Sequence, residues 1–228
     1  MKKLLTFCAA ILASVLTLNA QVKSPDEFLG YVLGTHFTPH HQVAGYFRQA
    51  AAAAPKNIKL IEYGKTNEGR PLMVAVVSST ENISRLEQIR TNNLKLAQAD
   101  GNNIALNKQP AIVWLSYNVH GNEANSTETA MKMLYTLASG NNSQANNWLK
   151  NIVVVIDPCL NPDGRDRYVN YFNSVVGKHP NSDPASREHI EPWPRGRPNH
   201  YYFDLNRDWA WQTQIESQQR LALYNEWM

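Results

Sequence analysis

Cysteine is nearly absent from this chain of 228 residues, which carries only Cys8 and Cys159. Cys8 lies in an apolar N-terminal segment, so once that segment is set aside no internal disulfide can form, and CxxC metal or redox pairs are excluded. Cys159 follows a run of strand-forming residues and reads as a small buried hydrophobe, with a catalytic thiol as the sharper alternative. Charge is also sparse, at 18% of residues with a formal net charge of +3, of which Lys2 and Lys3 belong to the N-terminal segment and leave about +1 without it. So small a charge gives no basis for nucleic-acid or anionic-membrane binding by bulk electrostatics. HExxH, GxSxG and GxxxxGK motifs are missing, which removes the helix-borne zinc site, the serine nucleophile elbow and the phosphate loop. There are no internal repeats and no low-complexity tract.

What is present begins with MKKLLTFCAAILASVLTLNA. Two lysines precede an apolar run from Leu4 to Leu18, and Asn19-Ala20 leads into a polar stretch, the layout of a signal peptide cleaved after Ala20. The run is shorter than the roughly 18 to 20 residues of a spanning helix, so no stable membrane insertion is expected after cleavage. Residues 1–20 are thus assigned to a signal peptide and 21–228 to one domain, exported to the periplasm or the cell exterior. With 43% hydrophobic residues, six tryptophans and ten tyrosines, the chain has the composition of a packed globular domain.

Apolar, β-branched runs at 58–63, 72–78, 111–117 and 152–156 predict strands, the third and fourth apolar enough to be covered on both faces. Helices are predicted over 42–54, ending at Pro55, over 83–99, over 124–137 and over the terminal stretch 213–228. The alternation argues an α/β layer architecture. The segments 100–107 and 139–147 read as polar connections. Residues 177–200 hold Pro180, Pro184, Pro192, Pro194 and Pro198, which prevent continuous helix or central strand. A loop of that length in a compact domain serves a site or is an excursion.

Of seven histidines, only His120 has a carboxylate three residues on, Glu123, in an HGNE turn directly after the strand AIVWLSYNV. A strand end feeding a Gly-Asn turn can aim an imidazole and a carboxylate at one point, and zinc takes that nitrogen and oxygen pair at about 2.0 to 2.2 Å while a hydrolytic site keeps a position for water. The plainer alternative is a polar turn with an incidental His and Glu.

YGKTNEGRPL at 63–72, HGNE at 120–123, NPDGRDRY at 161–168 and FDLNRDW at 203–209 together resemble, in order and context, the zinc carboxypeptidase family typified by pancreatic carboxypeptidase A. The resemblance spans nearly the whole chain after residue 20. It implies a three-layer α/β/α sandwich around a mixed, twisted sheet. It also implies one catalytic Zn2+ held by His120 and Glu123, and a peptide substrate whose free C-terminal carboxylate is bound by Asn206 and Arg207. A further arginine that polarises the scissile carbonyl maps onto Arg197 in preference to Arg195. The NPDG segment is expected to support the site from a loop.

The physical logic agrees with those roles. A planar guanidinium suits bidentate carboxylate binding, and a cation near a carbonyl oxygen stabilises the charge that develops there. The alternative for Arg207 is a structural ion pair with Asp204 or Asp208. The family's third zinc ligand, its general-base glutamate and a substrate-contacting tyrosine lie after the Asn-Arg block, where this sequence has about one helix before Met228, so the third ligand is expected beyond Met228. His179, His189 and His200 are no positional match for it, and Glu216 and Glu226 read as surface acids.

The expected reading is the N-terminal part of a catalytic domain, incomplete at its C-terminus, whose activity is zinc-dependent hydrolysis of the C-terminal peptide bond; residues 21–228 alone are expected to be inactive. Alternatives are an inactive binding module for peptide ends or carbohydrate, and a hydrolase of cell-wall peptides or acylated amino acids. Trp193, Tyr201, Tyr202, Phe203, Trp209 and Trp211, interleaved with Arg195, Arg197 and Arg207, could form a stacking surface, although ordinary core and loop packing is the expected fate of most of them.

Overall fold

The computed structural model describes residues 21–228. The predicted signal peptide, with Cys8, lies outside the described residues. Four strands, β1 (Ile58–Lys65), β2 (Pro71–Val77), β3 (Ala111–Ser116) and β4 (Ile152–Asp157), form a sheet in the order β1-β2-β4-β3. β1 and β2 make an antiparallel hairpin, β2 and β4 are antiparallel, and β3 and β4 are parallel, so the sheet is mixed.

Side chains alternate across a strand, and β2 and β4 are apolar at successive positions, so both faces of the sheet must be covered. Met73, Ala75, Val77, Val154 and Ile156 face one core, completed by α2 (His40–Ala53), α5 (Asn125–Ala138) and the short α1 (Pro25–Leu29) and α6 (Ser143–Trp148). Val74, Val76, Val153 and Val155 face the other, with Leu86 and Ile89 of α4 (Leu86–Ala97) and Leu223 of α8 (Ile215–Asn225). The result is the expected α/β/α sandwich. In α2, Val43, Tyr46, Phe47 and Ala50 are all fully buried at helical spacing. Of these, Val43 and Phe47 each contribute on the order of 1.5 to 3 kcal/mol of burial relative to exposure.

Several sequence expectations need correction. The predicted helix 83–99 is two, α3 (Thr80–Ser84) and α4, broken at Arg85, whose φ of −116° and ψ of 23° leave the helical region. The buried Asn82 amide donates to the Leu149 and Lys150 carbonyls and so ties the first turn to the loop before β4. The connection 139–147 contains the start of α6, whose first turn is capped by Asn142 accepting from the Ala145 N–H at 3.0 Å. NPDG is not a loop: it opens α7 (Pro162–Val175), with Asn161 as N-cap accepting from the Gly164 N–H and proline in the first turn.

β3 is not covered on both faces, since Ala111, Val113 and Ser116 are exposed. It is an edge strand among the described residues, whereas β4 is buried along nearly its whole length as expected, and β2 is covered as well. No helix among the described residues is long and apolar enough to cross a membrane.

Candidate active site

Parallel β3 and β4 end side by side, and the two segments that leave them are clamped together. Leu160 and Asn161 N–H groups donate to the carbonyls of Tyr117 and Asn118. Asn118 takes a left-handed φ of 58°, which asparagine tolerates better than most residues. Its side chain donates to the His120 carbonyl and accepts from Thr127 of α5 at 2.7 Å. The HGNE turn is thereby fixed at both ends before α5 begins.

Within the turn, His120 Nδ1 and Glu123 Oε1 converge at 2.9 Å, the histidine buried and the glutamate largely exposed. His120 Nε2, on the other side of the ring, lies 3.2 Å from Asp204 Oδ1. The second oxygen of Asp204 accepts from Arg197 Nη2 at 2.9 Å. One carboxylate thus joins the imidazole to an arginine. Partial burial works to raise the Asp204 pKa, but hydrogen bonds from Arg197 and the Asn206 backbone outweigh it and hold the carboxyl below its usual range. Sequence reasoning assigned Asp204 only as a partner for Arg207; its place behind His120 depends on a contact across 84 residues.

The structure brings Arg197 to this carboxylate, whereas Arg195 is exposed and accepts through its backbone carbonyl from Arg167. Arg207 forms no ion pair among the described residues. Asp204 is engaged by Arg197 and His120, and Asp208 accepts from the backbone N–H groups of Thr213 and Gln214, both at 2.9 Å. The structural-pair alternative for Arg207 therefore has no partner here, and both Asn206 and Arg207 are exposed.

Three glycines allow these segments to meet. A Cβ on Gly121 would stand 2.2 Å from backbone atoms of Gly164 and Arg165 and 2.4 Å from the Gly196 carbonyl oxygen. One on Gly164 would stand 2.3 Å from the Pro198 oxygen, and one on Gly196 would stand 2.5 Å from Tyr168 Cβ. The HGNE turn, the first turn of α7 and the loop carrying Arg197 thus touch backbone to backbone. Glu191 reinforces the junction, accepting from the Asn122 side chain at 3.0 Å and from the Gly196 N–H. Neither the glycine junction nor Glu191 was singled out from the sequence.

His120 and Glu123 supply the nitrogen and oxygen donors that suit zinc, and a second carboxylate, that of Asp204, faces the far ring nitrogen. The one group of three metal-type donors within 4.8 Å among the described residues lies elsewhere, at Glu68, Asp163 and His200. That cluster already holds a cation. Arg70 donates to Glu68, to Asp163 at 2.8 Å and to Asp166 at 2.7 Å, and His200 Nδ1 lies 3.0 Å from Glu68. It is an ion-pair network joining the β1–β2 hairpin to α7 and the 177–200 loop. His189 lies at the carbonyl of Asn181, 2.6 Å away.

Two further expectations change. Glu216 is not a surface acid; it is 1% exposed, accepts from Asn199 and Asn67, and burial raises its pKa. The six aromatics, most of which were expected to pack away, are all exposed, from 44% at Trp209 to 81% at Trp193. Cys159 is buried as expected, and burial pushes its thiol pKa up to about 12, so it is no nucleophile.

The chain is 28% identical over 193 residues to carboxypeptidase E of Caenorhabditis elegans, an alignment covering 79% of this chain and 33% of that protein. It therefore spans about a third of the length of this curated relative. Among solved structures it is similar to carboxypeptidase A from Helicoverpa armigera, with 17% identity, a TM-score of 0.48, and coverage of 82% of this chain and 42% of that one. A metallo-carboxypeptidase from Burkholderia cenocepacia gives 16% identity and a TM-score of 0.49, over 79% and 36% of the two chains. The zinc carboxypeptidase family model matches residues 43–224, most of the sequence, and the chain belongs to the zinc carboxypeptidase family.

Proposed function

We propose that this protein hydrolyses the C-terminal peptide bond of peptides with a free terminal carboxylate, as an exported zinc-dependent carboxypeptidase. The observation that carries this reading is the 2.9 Å convergence of His120 Nδ1 and Glu123 Oε1, with Asp204 holding the opposite ring nitrogen and linking it to Arg197. His120 and Glu123 would hold the zinc, and a further ligand completes the set. Bound there, zinc supplies Lewis acidity and a water whose pKa is near neutral.

The chain's own residues do the rest. Arg207, free of ion pairs among the described residues, binds the substrate's terminal carboxylate through its planar fork, and Asn206 adds an amide donor. Arg197 places a positive charge where the scissile carbonyl oxygen becomes negative, the kind of aimed stabilisation that lowers a barrier most. Asp204 keeps the proton of His120 on Nε2, leaving Nδ1 as the donor atom for the metal. It also holds Arg197 near the imidazole. The segment 1–20, as a signal peptide, directs export.

The test uses protein purified from its native host, assayed by mass spectrometry on a peptide with a free C-terminus and on its C-terminal amide. Release of one residue from the acid, abolished by a chelator and restored by zinc, is the expected result. His120→Ala should lose both activity and the tightly bound metal. Full activity after chelation, or internal cleavage with no dependence on the free carboxylate, would overturn the reading.

A further inference from the structure

We propose that Trp209 is a positioning residue for substrate recognition, whose indole N–H sets the Asn206 amide so that its nitrogen, and not its oxygen, is presented to the substrate's carboxylate. The inference deepens the proposed function and rests on the reading that Asn206 and Arg207 bind that carboxylate.

An asparagine amide offers an acceptor at one end and two donors at the other, and a 180° flip exchanges them. Toward an anion the two orientations have opposite sign. Trp209 Nε1 lies 3.3 Å from Asn206 Oδ1. An indole N–H can only donate, so the atom facing it must be the oxygen. In the flipped amide two N–H groups would face each other, and the oxygen would be turned toward the carboxylate. With Oδ1 engaged, Asn206 Nδ2 has no partner among the described residues, and the next residue in the chain, Arg207, forms no ion pair there.

Trp209 is itself held from behind. The Arg220 guanidinium lies 4.1 Å from the centre of the indole ring. Arg220 belongs to α8, is 3% exposed, and its Nε and Nη1 have no hydrogen-bond partner. A buried cation with unpartnered N–H groups gains more from an aromatic face than an exposed one does. The intervening turn is fixed by Asp208, which takes backbone N–H groups of Thr213 and Gln214. A helix of the second core layer thereby sets the ring, and the ring sets the amide. Trp209 is nonetheless 44% exposed, so its position at the loop surface is not explained by core packing.

The experiment compares Trp209→Phe, which keeps a ring for Arg220 and removes the N–H, with Asn206→Ala and the double variant. Each is assayed on a blocked dipeptide and on its C-terminal amide. For Trp209→Phe we expect KM for the free acid to rise about tenfold with kcat nearly unchanged, the scale of one lost hydrogen-bonded orientation. Kinetics on the amide and zinc content should stay as in wild type. In the Asn206→Ala background the same substitution should add nothing. Wild-type kinetics on the acid, equal losses on acid and amide, or full additivity in the double variant would each overturn the positioning role. If the wild-type protein itself does not prefer the acid to the amide, the carboxylate-binding reading fails first, and visibly so. Should Trp209→Phe not fold, hydrogen exchange at the Trp209 indole decides. It should be slow in wild type and at least several-fold faster in Asn206→Ala, and equal rates would overturn the proposal.

Discussion

Asp204 Oδ1 stands 3.2 Å from His120 Nε2, on the side of the imidazole opposite Glu123. Outer carboxylates of this kind fix the ligand's tautomer and raise its basicity. Asp204→Asn should weaken zinc binding about 10- to 100-fold, measured by competition with a chromophoric chelator. The same change loosens Arg197, so activity at saturating zinc should fall as well. Unchanged affinity would show that the imidazole is oriented by the HGNE turn alone.

The glycine junction makes a different kind of prediction. A methyl group on Gly121 would meet backbone, which cannot rotate away, at 2.2 Å. Gly121→Ala should cost about 3 kcal/mol, at the upper end of overpacking, and lower the melting temperature by about 6 to 12 °C. Calorimetry or circular dichroism would read this directly. A wild-type melting point would mean the three segments are not in contact.

Arg165 is fully buried in α7 and donates to Glu128 of α5 at 2.9 Å and to the carbonyl of Thr38. Glu128 also accepts from the Thr38 N–H and hydroxyl. Glu128→Ala leaves that guanidinium without its anion and should destabilise the fold by about 3 to 5 kcal/mol. The urea midpoint of Glu128→Ala, set against that of the surface variant Glu62→Ala, checks this. Equal small shifts would place the pair in solvent.

Asp157, at the end of β4, gives a dependence on pH. Burial raises its pKa from 3.8 to about 7, although Arg220 and the Tyr63 hydroxyl work against the rise. Tyr63 donates to Oδ2 at 2.9 Å, while Oδ1 is buried without a partner. The folded state thus holds this proton more tightly than the unfolded chain. Its stabilising contribution is complete below pH 3.8 and is lost as pH rises through about 7. The upper bound on that change is about 4 kcal/mol. Asp157→Asn should flatten the decline in stability between about pH 4 and 7, measured by urea unfolding at several pH values; an unaltered slope would assign the decline to other groups.

Much of the fold was legible because its signals are local. The runs at 58–63, 72–78 and 152–156 are strands, and the alanine-rich 42–54 is the body of α2. The start of α7 is equally local, with asparagine as N-cap and proline in the first turn, although the NPDG segment was expected to be a loop. The break at Arg85 was not legible, since it depends on Asn82 reaching carbonyls more than sixty residues away.

The sequence by itself determined which chemistry is available: a histidine and a glutamate three apart after an apolar strand, and an Asn-Arg pair in an aromatic loop. Tertiary structure decided how those groups are paired. It gave Asp204 to His120 and Arg197, gave Asp208 to the turn before α8, and left Arg207 with no ion pair among the described residues. The reason is physical. A side chain's chemical type is carried by its own residue. Its partner is set by which backbones can approach, and here that depends on glycines at 121, 164 and 196 being brought together by the sheet and α7.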